Sequence, residues 1–247
     1  MPERILLLGG TGEARQLANA LVEQGHDVIT SLAGITREPA LPKGEVRSGG
    51  FGGEEGLLAY IKDEGVTLVI DATHPFAAQI SKHVHAAAAR GNVALIRLER
   101  PSWQQPLDGK WQGFDSFDNA LANIPDGSRV FVTTGRKNLS ALAKYTSLSG
   151  VVRSIEPPDA PLPAGWTLIL ERPPFSIAHE QALMHLYRTT HLISKNAGGS
   201  SMLSKVKAAN GLSIDVLMIE RPRKPPCPTY HSISALLAAV GKLQLPR

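Results

Sequence analysis

Glycine, threonine, aspartate, histidine and lysine gather in this chain at the places where apolar runs stop, and that placement is the first clue to its chemistry. Ile5-Leu6-Leu7-Leu8 runs into Gly9-Gly10-Thr11-Gly12-Glu13-Ala14, after which apolar Leu17, Ala18 and Leu21 recur at helical spacing. A diphosphate can approach a backbone only where no Cβ intervenes, and the unpaired amides and dipole of a helix N-terminus favour an anion. Strand, glycine turn and helix in that order predict a nucleotide site at Gly9, Gly10, Thr11, Gly12, Glu13 and Ala14. The spacing falls short of a full G-x-G-x-x-G, with Ala14 and Arg15 where a third glycine would be sought, and a glycine turn without a ligand is the plainer alternative.

Four further strand ends carry chemistry. Where an NAD-preferring fold places an acid for the ribose hydroxyls, this chain reads Thr30-Ser31-Leu32-Ala33-Gly34-Ile35-Thr36-Arg37; Ser31 and Arg37 could donate to a 2′-phosphate, which points to NADP. An ordinary solvated arginine is the alternative for Arg37. The third group is Asp71-Ala72-Thr73-His74-Pro75-Phe76, in which His74, or Asp71 through water, could move a proton. Equally, Thr73 or His74 could cap a helix that has Pro75 at its first position. Thr133-Thr134-Gly135-Arg136-Lys137-Asn138 and Ser194-Lys195-Asn196-Ala197-Gly198-Gly199-Ser200-Ser201 both join hydroxyls, glycine and cations, making two more anion cradles. Two cradles in one half exceed the anionic groups of one cofactor and suit a substrate carrying carboxylates.

The elements that must hold these groups can be read from periodicity. Apolar runs at about 4–9, 27–33, 66–71, 93–98, 129–134, 151–155, 166–171, 190–194 and 214–219 predict buried strands. Helical patterns lie between most of them, at about 13–24, 53–63, 76–90, 137–144, 178–188, 201–210 and 232–243. The alternation predicts an α/β fold of mainly parallel sheets flanked by helices, in which ligands bind beyond the carboxyl ends of the strands. All five groups lie at such ends. The stretch from Arg100 to Gly113, with Pro101, Trp103, Pro106 and Trp111, shows no periodicity and predicts a passage between two lobes, 1–100 and 101–247. A surface loop within one domain fits its composition equally well.

Composition removes other classes. The 247 residues carry a net charge of +4, but the 26 basic residues are spread along the chain, and neither zinc-finger spacing nor an aromatic RNA-binding signature supports nucleic acid as a partner. No apolar run approaches membrane-spanning length and no signal peptide opens the chain, so a cytoplasmic protein is expected. The lone Cys227 has no disulfide partner. On a helix His83 and His85 would point roughly 200° apart, which argues against a shared metal. The Tyr-x-x-x-Lys relay of short-chain dehydrogenases is missing, since Glu64, Ser149, His191 and Ser234 stand four residues after the four tyrosines.

Taken together, Gly9-Gly10-Thr11-Gly12-Glu13-Ala14, Asp71-Ala72-Thr73-His74-Pro75-Phe76-Ala77, Thr134-Gly135-Arg136-Lys137, Ser194-Lys195-Asn196-Ala197-Gly198-Gly199 and Ile219-Glu220-Arg221-Pro222 resemble the precorrin-6A reductase family of cobalamin biosynthesis. The likeness runs in order along essentially the whole chain. It implies two Rossmann-like lobes enclosing cofactor and substrate, with NADPH reducing a tetrapyrrole macrocycle, metal-free or cobalt-bearing, by hydride at one ring carbon and a proton at its neighbour. On that basis Gly9, Gly10, Thr11, Gly12, Glu13, Ala14, Ser31, Arg37, Thr73, Thr134, Gly135 and Arg136 are expected against NADPH. Phe76, Lys137, Ser194, Lys195, Asn196, Gly198 and Gly199 are expected against the tetrapyrrole, with His74 and Asp71 handling the proton. Two rivals are an NADP-dependent reductase of another poly-carboxylate and a non-catalytic NADP-binding sensor.

Overall fold

The structure is a computed structural model that describes residues 3–33, 41–105, 109–200 and 202–243; Arg37 and Ser201 lie outside the described residues. The chain divides into two units, Met1–Pro101 with Pro222–Arg247, and Ser102–Arg221.

The first unit begins with β1 (Arg4–Leu8), α1 (Gly12–Glu23), β2 (Asp27–Leu32), β3 (Glu45–Ser48), α2 (Gly53–Asp63), β4 (Leu68–Asp71), α3 (Ala78–Gly91) and β5 (Ala94–Leu98). The second contains β6 (Trp111–Phe114), α4 (Phe117–Ala122), β7 (Arg129–Val132), a 3-10 helix (Leu139–Lys144), β8 (Ser149–Ser154), β9 (Trp166–Leu170), α5 (Ile177–Leu186), β10 (His191–Lys195), α6 (Ser204–Gly211) and β11 (Asp215–Ile219). The chain then returns to the first unit with β12 (Thr229–Tyr230) and α7 (Ile233–Val240).

Among the described residues the strands form two six-stranded sheets, β3-β2-β1-β4-β5-β12 and β9-β8-β7-β10-β11-β6, and every pairing is parallel. The first follows the order 3-2-1-4-5-6 of dinucleotide-binding sheets; the second repeats that arrangement with β6, the first strand of its unit, in the sixth place, and the order reverses between β1 and β4 and again between β7 and β10. The strand chemistry explains the centre of the first sheet. Ile5 and Leu7 pack towards α1 and α7, whereas Leu6 and Leu8 pack towards α2 and α3, so a strand buried on both faces reads as an unbroken apolar run. Thr11 starts α1 by accepting the Ala14 N–H at 3.0 Å.

The partition at 1–100 and 101–247 differs from the observed units at the C-terminus. Thr229 and Tyr230 pair with Arg97 and Leu98 to extend the edge of the first sheet, and α7 buries Leu236 and Val240 against Leu17, Leu21 and Ile96. The expected helix at 137–144 is a 3-10 helix, and α3 begins at Ala78, with Pro75 in the turn before it rather than at the first helical position. Among the described residues no helix is long and apolar enough to cross a membrane.

Candidate functional site

In the first unit the glycine turn lies at the point where the strand order reverses. Gly10 has φ +108°, a conformation open to glycine, and an added Cβ at Gly10 or Gly12 would meet nothing within 4 Å. The turn therefore presents bare backbone at the N-terminus of α1, which is the cradle a diphosphate requires. Gly9 has a different reason: its Cβ would sit 3.1 Å from the Thr30 methyl group. The Thr11 hydroxyl caps the helix and also reaches the Ala72 carbonyl at 3.3 Å, while the Ala14 amide is taken by that cap. These two residues shape the turn instead of offering their polar atoms to a ligand.

Near the end of β2 the buried Ser31 hydroxyl accepts from Arg47 Nη1 at 2.7 Å. Arg47 is fixed by the Gly49 and Gly50 carbonyls and by the Phe51 ring 3.8 Å below its guanidinium. The sequence reading assigned a cation at this strand end to Arg37; among the described residues it is Arg47, sixteen positions after Ser31, that arrives there, brought by the β2–β3 pairing.

Asp71, at the end of β4, is fully buried. One carboxylate oxygen accepts from the Thr73 amide and hydroxyl at 3.2 and 2.6 Å, the other from Ser81 Oγ at 2.7 Å and Arg97 Nε at 3.0 Å. Burial pushes its pKa up, but the Lys224 charge, the Thr73 and Ser81 hydrogen bonds and the Arg97 charge outweigh that, and the carboxyl is held below its ordinary value. An ionised, fully bonded carboxylate is an anchor for the loop, so Asp71 does not fit the proton-moving role its type suggested. Thr73 is committed to Asp71, and neither it nor His74 caps α3, whose N-cap is Ala77. His74 Nδ1 accepts the Phe76 N–H at 3.2 Å, and the two rings lie 5.8 Å apart. Lys224, almost wholly buried, donates to Glu99 at 3.3 Å and to the His74 carbonyl at 3.4 Å.

An open hollow lies between the ends of β1, β4, β5 and β12, lined in part by Thr11, Glu13, Thr73, Glu99, Arg100 and His231. Arg100 Nη1 bridges both Glu13 oxygens at 2.8 Å, which turns the Glu13 carboxylate towards a cation.

In the second unit the Thr134-Gly135-Arg136-Lys137 and Lys195–Ser200 loops flank the corresponding reversal between β7 and β10. Gly135, Gly198 and Gly199 have φ of +85°, +70° and +76°, and the buried Thr134 hydroxyl has no protein partner. Burial lowers the Lys195 pKa and the Lys137 charge lowers it further, so the two ammonium groups share one field. The other expected ligands have structural duties. Asn196 holds the Trp103 backbone through Oδ1 at 2.9 Å and Nδ2 at 3.3 Å, and Arg136 reaches Asp159 at 2.9 Å. Ser194 is fully buried, with its hydroxyl on the Lys195 carbonyl.

Sequence reasoning passed over the ion pairs behind these loops. Arg97 and Arg153 each interrupt an apolar strand, the signal that marks a buried cation with a dedicated partner. Arg153 meets buried Glu180 at 2.8 Å and lies 3.9 Å over the Phe175 ring. Nearby Lys205, at the start of α6, has its pKa pushed down to about 7, mainly by burial and next by the Arg153 charge.

A family model described as Precorrin-6x reductase CbiJ/CobK matches residues 4–241. The precorrin-6A reductase of Rhodococcus erythropolis is 44% identical over 243 residues, covering 97% of this chain and 98% of that protein. The protein of the same name from Rhodobacter capsulatus is 37% identical over 243 residues, with 96% and 97% covered. A solved structure titled CobK precorrin-6A reductase aligns with a TM-score of 0.91 and 36% identity over 98% of this chain and 97% of that one. Matched along nearly its whole length by both the family model and these relatives, the chain belongs to the precorrin-6x reductase family, CbiJ/CobK.

Proposed function

We propose that this chain reduces precorrin-6A to precorrin-6B in cobalamin biosynthesis, with NADPH as the reductant. The observation that carries the reading is the bare glycine turn, open above Gly10 and Gly12 at the reversal of a dinucleotide-type sheet, in a chain similar over its full length to precorrin-6A reductases.

When bound, NADPH supplies the hydride. The amides of Gly10 and Gly12 would hold the diphosphate, the Gly9 amide being taken by the Ser31 carbonyl at 2.9 Å, and the Asp71–Thr73–Ser81–Arg97 cluster keeps the neighbouring loop in place. Ser31 and Arg47 would meet the 2′-phosphate, in the role first given to Ser31 and Arg37; a fixed guanidinium favours that group over a free ribose hydroxyl. Lys137, Lys195 and the Gly198-Gly199 turn take carboxylate arms of the macrocycle, assisted by the Thr134 hydroxyl. No side chain acts as a nucleophile: the protein orients cofactor and substrate.

Anaerobic incubation with NADPH and precorrin-6A tests this. Loss of the reduced-nicotinamide absorbance, coupled to a shift of the macrocycle band, is the expected result. Turnover confined to cobalt-precorrin-6A would move the substrate to the metal-bearing form, and NADPH binding without turnover of either would overturn the reductase reading. Arg47→Glu should weaken NADPH binding at least tenfold with little change for NADH; equal effects on both would remove Arg47 from the 2′-phosphate site.

A further inference from the structure

We propose that His231 is the proton donor of the reduction, an inference that rests on the reductase function proposed above. In a sheet of order 3-2-1-4-5-6 the two halves of a dinucleotide lie on either side of the reversal, and the β1–β2–β3 side is the one that carries Ser31 and Arg47. The nicotinamide end then falls on the β4–β5–β12 side. That is where the hollow opens, with a volume of about 60 Å³, room for a few waters. His231 is the imidazole in its wall.

The hydrogen bonds assign opposite tautomers to the two histidines. His231 Nδ1 lies 2.7 Å from the Glu99 carbonyl, which can only accept, so Nδ1 carries hydrogen and Nε2 is the exchangeable nitrogen. Adding a proton at Nε2 leaves that bond intact, and the exposed ring can be recharged from solvent. Pairing of β12 with β5, through Glu99 N–H to the Tyr230 carbonyl at 2.9 Å, fixes the ring's position. In His74 the order is reversed. Its Nδ1 accepts the Phe76 N–H, and a second proton there would break that bond. The charged groups around the hollow are Glu13 with Arg100, and Glu99 with Lys224.

The step balances as follows. Hydride from NADPH forms a C–H bond at one carbon of a macrocycle double bond, whose electron pair takes the His231 Nε2 proton at the neighbouring carbon. The cofactor leaves as NADP+, and the neutral imidazole regains a proton from water.

Three measurements on the full chain test the assignment. Nitrogen-15 spectra of histidine-labelled protein should show His231 as the Nδ1–H tautomer and His74 as the Nε2–H tautomer; an Nε2–H form of His231 would overturn the proposal. His231→Gln should lower turnover at least tenfold and leave NADPH affinity within twofold. Imidazole added to His231→Ala should restore part of the rate. Unchanged turnover, or lost turnover with weakened NADPH binding and no imidazole rescue, would each reject His231 as donor. Failure of the wild type to oxidise NADPH with either precorrin would instead count against the reductase reading, so the two failures are distinguishable.

Discussion

Asp71 accepts four hydrogen bonds inside the first unit and lies beside the charges of Arg97 and Lys224. Removing its charge leaves buried Arg97 without its carboxylate partner, so Asp71→Asn should cost about 3 kcal/mol of unfolding free energy, measured by urea denaturation at neutral pH. Its native pKa lies below the ordinary value of 3.8, so its stabilisation is complete above that value and is lost as pH falls through the native one. Lys205 opposes folding instead, although its pH slope has the same sign. Its pKa falls from 10.5 in the unfolded chain to about 7 in the fold, so the unfolded state binds more protons between those values and stability from this group rises with pH across them. Lys205→Met should therefore stabilise at neutral pH, by roughly 1 kcal/mol, with a smaller gain near pH 10. The Asp-Thr-His group was legible as a special loop, but its chemistry was not, because Arg97 and Lys224 are distant in sequence and meet Asp71 only once β4, β5 and the C-terminal segment are assembled.

The central strands and their helices could be read from the sequence because burial on both faces leaves an unbroken apolar signature, as in Ile5–Leu8 and Val130–Val132. Of the four edges only β9 could, at 166–171. β3 reads Glu-Val-Arg-Ser and β6 reads Trp-Gln-Gly-Phe, both partly exposed, and β12 is two residues long, so none forms an apolar run. Short polar edges also discourage strand addition by other chains. At the start of α1, the glycine turn was recognised as an anion cradle, whereas the cap within it was missed. Thr11→Ala should lower stability by about 1 kcal/mol in thermal unfolding, and Thr11→Ser should restore most of it.

The division of the molecule follows from where apolar surface is covered. Leu236 is fully buried in the core of the first unit with Leu17, Leu21 and Ile96, although more than half the chain separates it from each of them. Leu236→Ala should cost about 3 kcal/mol, and hydrogen exchange should quicken in β1 and β4 while β7 and β10 keep their protection. Equal loss of protection in both sheets would contradict the observed division. The same return of the chain has a consequence for synthesis. A ribosome releases all of Ser102–Arg221 before the residues that complete the first sheet, an interval of several seconds to tens of seconds at ordinary elongation rates. The inner unit can finish folding co-translationally while the first waits with the α1 side of its core uncovered, and that nascent stage is when chaperone protection would matter most.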